Sequence, residues 1–316
     1  REIDLKGPLL ALALLLLLAD AVASLALAGR LGGPRAAAAA LLLAALLPGL
    51  PAEAQEAAAA PDPEAEAFAL AATTEVVLAH VLTGDEEVDR IAEAGLLGLS
   101  QTLWARTAIE PAAPMGVDIE RDELSFFPLL YWPVTAEAPL PSPEAYAKLN
   151  RYLATGGMIL FDTRDADLAG LGSSSPEGRR LQAIARGLDV PPLEPIPADH
   201  VLTRTFYLLQ DFPGRYASPE IWVEASPPDA GLAEGMPFRD LNDGVTPVVI
   251  GGNDWAAAWA VDEWGAPLLP VGRGLAGERQ REFALRFGVN LVMHVLTGNY
   301  KSDQVHVPAL LDRLGQ

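Results

Sequence analysis

The chain of 316 residues contains no cysteine. That removes disulfides, thiolate metal centres and a cysteine nucleophile together. Basic residues are sparse: 22 Lys and Arg stand against 42 Asp and Glu, a formal charge of −20, and all of the imbalance lies from Glu53 onward. A surface of that sign repels phosphate backbones, so no nucleic-acid partner is expected. No G-x-S-x-G elbow occurs, and Gly172-Ser173-Ser174-Ser175-Pro176 lacks the second glycine. A serine hydrolase is therefore unsupported.

What is abundant is apolar: 50% of the residues are hydrophobic. Pro8 to Ala28 is interrupted only by Asp20 and Ser24, and about 20 such residues suffice for a membrane-crossing helix. The turn Gly29 to Arg35 comes next, then a second, alanine-rich apolar run from Ala36 to Leu50. In one reading residues 1–52 form a transmembrane helical hairpin whose arginine-bearing turn is cytoplasmic. In the other, the second run is the apolar region of a signal peptide, with Pro51-Ala52-Glu53-Ala54 as a small-residue cleavage site. The hairpin is favoured because a signal peptide should open a chain, and both readings export the remainder of the polypeptide. The chain also enters its apolar run almost directly from Arg1, as the carboxyl-terminal piece of a longer polypeptide would. Residues 53–72 read as an acidic Ala/Pro linker, and residues 73–316 as the exported domain.

That domain is organised around Met158 to Phe161, an apolar run that succeeds Gly156-Gly157 and leads directly into Asp162-Thr163-Arg164-Asp165. The pattern predicts a buried parallel strand with polar groups at its carboxyl end. Glu75 to Leu82, Leu124 to Trp132 and Pro247 to Gly251 read as further strands, with extended segments at Val201 to Leu209 and Glu220 to Glu224, and Ala256 to Val261 as a neighbouring strand or hairpin arm. Pro191 to Pro197 reads as irregular. Helical spacing predicts helices over Glu86 to Arg106, from Ser142 towards Gly156, around Pro176 to Gly187, and from Gly277 to about Thr297. Alternating strands and amphipathic helices predict an α/β fold with a doubly wound, mostly parallel sheet.

Open sheets of this kind take ligands at the carboxyl edge of their strands. The residues expected there are Tyr131 and Trp132, then Asp162, Arg164 and Asp165, then Asn253 and Asp254; His200, at the start of an extended segment, could reach the same edge. The carboxylates, above all Asp162, Asp165 and Asp254, suit Mg²⁺ or Ca²⁺, and the aromatic rings suit a sugar or peptide. Caps and salt bridges account for the same residues without a ligand. No cofactor is predicted, although a divalent cation fits the donor types. Gly272-Arg273-Gly274-Leu275-Ala276-Gly277 matches G-x-G-x-x-G, but it lies late in the chain rather than in a first βαβ unit, so a glycine turn opening a helix is the expected role.

The stretches VVLAHVLTGDEEVDR, FFPLLYWPV, YLATGGMILFDTRD, His200 to Tyr207 and FGVNLVMHVLTGNYKSDQVHVPALLDRL resemble a bacterial membrane-associated family known as a domain of unknown function. That family has a class I glutamine amidotransferase-like, flavodoxin-like fold and is related to aerotolerance membrane proteins of the BatA type. The resemblance implies a bacterial cytoplasmic membrane location with the soluble domain in the periplasm, and partners of the MoxR ATPase and von Willebrand factor A types. It transfers no catalytic residue, because glutaminases of that fold need a cysteine. Two functions remain open: a non-catalytic binding or scaffold module of an envelope complex, and a metal-assisted hydrolase of an envelope glycan or peptide working through Asp162, Asp165, Asp254 and His200.

Overall fold

A computed structural model describes residues 63–167, 175–225 and 246–314. The expected hairpin of residues 1–52 and the first part of the linker lie outside the described residues. Among the described residues, no helix is long and apolar enough to cross a membrane.

The second half of the expected linker is helical: Pro63–Thr74 forms α1. Proline near the start and repeated alanine favour a helix. Tertiary contact fixes it, since Ala72 is buried and Phe68 meets Phe127 edge-on at 5.9 Å. The strands are β1 (Ala79–Val81), β2 (Met115–Val117), β3 (Leu129–Pro133), β4 (Met158–Asp162), β5 (Leu193–Pro195), β6 (Trp222–Glu224) and β7 (Val248–Gly251). The remaining helices are α2 (Glu86–Arg106), α3 (Pro143–Ala154), α4 (Pro176–Ala185), α5 (Trp255–Trp259) and α6 (Gly274–Leu314). Together the strands make one mixed seven-stranded sheet in the order β2-β1-β3-β4-β7-β6-β5. The pairings from β2 to β7 are parallel, whereas β6 runs antiparallel to both β7 and β5.

Every residue of β3 and β4 is buried, as strands covered on both faces must be. Their side chains alternate between two cores. Leu129, Tyr131, Met158 and Leu160 face α2, α5 and α6, while Leu130, Trp132, Ile159 and Phe161 face α1, α3 and α4. The helix starts are built locally: Asp85 accepts from the Glu87 and Val88 amides at α2, and Ser142 and Ser175 cap α3 and α4, each with proline immediately after it. These caps satisfy amides that a helix leaves unpaired.

Four segments differ from the pattern read in the sequence. Ala256 to Val261 is mostly the short helix α5 rather than a strand, because its first amides find a carboxylate and its small residues seat it on Gly95 and Gly98 of α2. A Cβ on Gly98 would overlap the Trp259 carbonyl oxygen, so glycine alone allows that approach. Val201–Thr203 is a 3₁₀ turn, with His200 Nδ1 accepting from the Leu202 amide at 3.2 Å. The proline-spaced stretch contains β5, and Met115–Val117 contributes β2 where no strand is expected from the sequence. The glycine motif opens α6 as a tight turn, with Gly272 and Gly274 at φ 55 and 54.

Candidate functional site

The carboxyl ends of β3, β4 and β7 lie side by side, with Pro133 opposite Asp162 and Asp162 opposite Gly251. This register brings the polar residues after each strand to one place. Asp162 is its centre and has no solvent exposure. Its Oδ1 accepts from the Arg164 amide at 3.0 Å and the Asp254 amide at 3.1 Å. Its Oδ2 accepts from the Tyr131 hydroxyl at 2.9 Å and the Trp255 amide at 2.7 Å. Arg164 and Asp254 are the only non-glycine residues with positive φ among the described residues, at 56 and 53. Each left-handed turn costs on the order of 1 kcal/mol, and both point amide hydrogens at the same carboxylate.

Asp254 lies just beyond β7 and is itself nearly buried, and Arg215 approaches its Oδ2 at 3.5 Å. Asn253, wholly buried, ties down the loop opposite. It accepts from the Ser218 amide at 2.7 Å and donates to the Phe212 and Ser218 carbonyls at 3.0 and 2.9 Å. Gln280 of α6 holds the same loop through the Gly214 and Arg215 carbonyls, each at 2.9 Å. Arg164 donates through Nη2 to the Val134 carbonyl at 3.3 Å, and its buried Nε has no hydrogen-bond partner among the described residues. Asp165 turns away towards α4, where its Oδ1 accepts from the Thr163 hydroxyl.

Burial sets the electrostatics. It raises Asp162, helped by the charge of Asp254, to about 7 against the pull of the Trp255 amide, the Tyr131 hydroxyl and the Asp254 amide. Burial raises Asp254 too, with Arg164 and Arg215 opposing. Tyr131 is driven well above the usual phenol range by burial and by the Asp162 carboxylate. Burial, and for Asp162 the charge of Asp254, thus oppose ionisation of the two groups together.

Of the residues expected at the edge, Tyr131, Asp162, Arg164, Asn253 and Asp254 converge, and Asp165 borders them. Trp132 does not join: its ring packs on Phe161, centroids 5.2 Å apart, in the opposite core. His200 stands at the 3₁₀ turn, lowered to about 4 by burial. Arg215, Tyr216 and Ser218 are the additions that sequence reasoning missed. They lie in loops without periodic pattern, and only Gly214, whose Cβ would overlap the Asn253 carbonyl oxygen, marked a close approach.

The donor set does not fit Mg²⁺ or Ca²⁺. Both Asp162 oxygens already accept two hydrogen bonds each, which uses the lone-pair directions an ion would need. Among the described residues no group of three or more His, Asp or Glu is arranged to hold a metal ion.

Residues 77–296 match a family described as a domain of unknown function (DUF4159). No curated protein matches the chain.

Proposed function

We propose, from the premise that the chain belongs to the domain of unknown function family DUF4159, that it is a membrane-anchored, extracytoplasmic binding or scaffold module of a bacterial envelope complex, non-catalytic at its carboxyl edge. On this reading its fold is of the class I glutamine amidotransferase type, its anchor is the apolar segment before residue 53, and its partners are of the MoxR ATPase or von Willebrand factor A type. The observation that carries it is the use made of the polar edge. Asp162, Asp254 and Asn253 are spent on backbone amides, Arg215 and the loop 212–218. Groups so engaged hold loops in place; a general base or nucleophile needs a free, reachable oxygen.

The test is photo-crosslinking in native cells from a reactive analogue placed at Tyr216, beside Arg215 and Asp254, with Trp104 as the control position. Capture of a von Willebrand factor A-type or MoxR-type protein from Tyr216 alone supports the reading. Turnover of peptidoglycan or of envelope peptides by the purified full chain, abolished in Asp254→Asn, overturns it.

A further inference from the structure

A second feature of the carboxyl edge lies on the α4 side, away from Asp162. It is a cleft of about 500 Å³ between the ends of β4 and β7, the start of β6 and helix α4, within the size range of small-molecule sites. One wall is the indole of Trp222, 41% exposed although it sits in a strand paired on both sides. The floor is nearly bare backbone. Gly252 admits no side chain, because a Cβ there would overlap Asp165 Oδ1 and crowd the Thr163 hydroxyl.

Polar groups line the rest: Asp165, Glu220, Gln182 and Ser175. No lysine or arginine is among the lining residues, and neither Asp165 nor Glu220 enters an ion pair among the described residues. A phosphate or carboxylate ligand would meet two carboxylates and no cation. A purely apolar ligand would strand those carboxylates without partners. What fits is a ring with an apolar face and a rim of groups that both donate and accept. Carboxylates accept from such a rim, the Gln182 amide does both, and the Ser175 hydroxyl does both. The flat indole takes the apolar face.

We infer that this cleft binds a neutral saccharide, stacked on Trp222 and held by Asp165, Glu220 and Gln182. The inference rests on the reading of the carboxyl edge as a binding surface and gives it a ligand class. A cationic peptide would meet the indole and the carboxylates through its ammonium groups, and trilysine is the probe that separates that outcome from a saccharide.

The full chain is titrated with cellotriose, N-acetylchitotriose, maltotriose and xylotriose, read by saturation-transfer NMR and calorimetry, with trilysine in a parallel titration. Saturable binding of at least one saccharide is expected, weakened about tenfold or more in Trp222→Ala, weakened also in Glu220→Gln, and unchanged in Trp264→Ala, which removes an exposed indole elsewhere. Circular dichroism establishes that each variant is folded. Silence with all four saccharides, or equal binding by Trp222→Ala, overturns the inference, as does binding of trilysine alone. The crosslink from Tyr216 does not involve Trp222, so its persistence beside a failed titration sinks only the saccharide assignment. Its loss together with the titration removes the binding reading underneath.

Discussion

Asp162 gives the most decisive perturbation. In the unfolded chain it ionises near 3.8, and in the folded protein near 7. A group raised in this way stabilises the folded state fully below its unfolded value, and that contribution disappears as pH rises through the folded one. Each unit corresponds to about 1.4 kcal/mol, so between about pH 5 and pH 7 the contribution falls by about 2 to 3 kcal/mol. Asp162→Asn keeps the shape and removes the titration, but it turns an amide towards either the Trp255 N–H or the Arg164 and Asp254 N–H groups. That donor-to-donor contact costs about 1 to 3 kcal/mol. Urea unfolding of both proteins across this interval should therefore show the wild type well ahead in acid and the gap closing towards neutrality by about 2 to 3 kcal/mol. Taking the difference cancels the titrating groups remote from Asp162, His200 above all, which acts in the opposite sense, while Asp254, raised together with Asp162, contributes to the gap. A gap that stays constant with pH would refute the reasoning. It would mean that four converging donors, not burial and Asp254, decide the charge of Asp162, and that it is ionised throughout.

Three further outcomes are expected from the same contacts. His200 is held near 4, below its ordinary 6.5, so the neutral ring is favoured by folding. Stability is complete above 6.5 and is lost towards pH 4 by up to about 3 kcal/mol, and His200→Gln should flatten that acid limb in denaturant titrations. Gly98→Ala should cost about 1 to 3 kcal/mol by forcing α2 away from the Trp259 carbonyl, seen as a lower midpoint with unchanged slope. Asn253→Ala removes three hydrogen bonds to the loop 212–218; a loss of about 2 to 3 kcal/mol is expected, with amide exchange at Tyr216 and Ser218 accelerated while exchange in β4 changes less.

The elements legible in the sequence are those in which local chemistry and burial agree. The spacing from Val88 to Leu103 marks α2, whose observed limits are Glu86 and Arg106. The run Met158 to Phe161 marks β4, ended by Asp162. In both, apolar period and terminal polar residues report the same environment. Segments decided by distant partners are not legible. Trp255-Ala-Ala-Ala-Trp259 is too short to declare a helix by period, and its first amides are satisfied by a carboxylate about ninety residues earlier in the chain. Trp132 reads as an edge residue because it precedes Pro133, yet strand alternation sends its ring to the face opposite Tyr131. One residue of register separates a candidate ligand from a core side chain. Arg215 could not be found at all, since its relation to Asp254 exists only once Asn253 has fixed the intervening loop.

Register also explains why the edge is so polar without being free to react. Parallel strands end together, and the chain leaving each must turn with its amides uncovered inside a helix-covered sheet. Here β4 and β7 solve the problem jointly: Asp162 from one strand accepts the amides exposed by both turns, and two residues accept left-handed conformations so that it can. A carboxyl group in that position serves the turn geometry by accepting three amides at once. Chemistry or recognition at this edge must then come from groups the turns leave over. Asp165 is the first of these, because its left-handed neighbour Arg164 directs it out of the cluster and into the cleft beside Trp222.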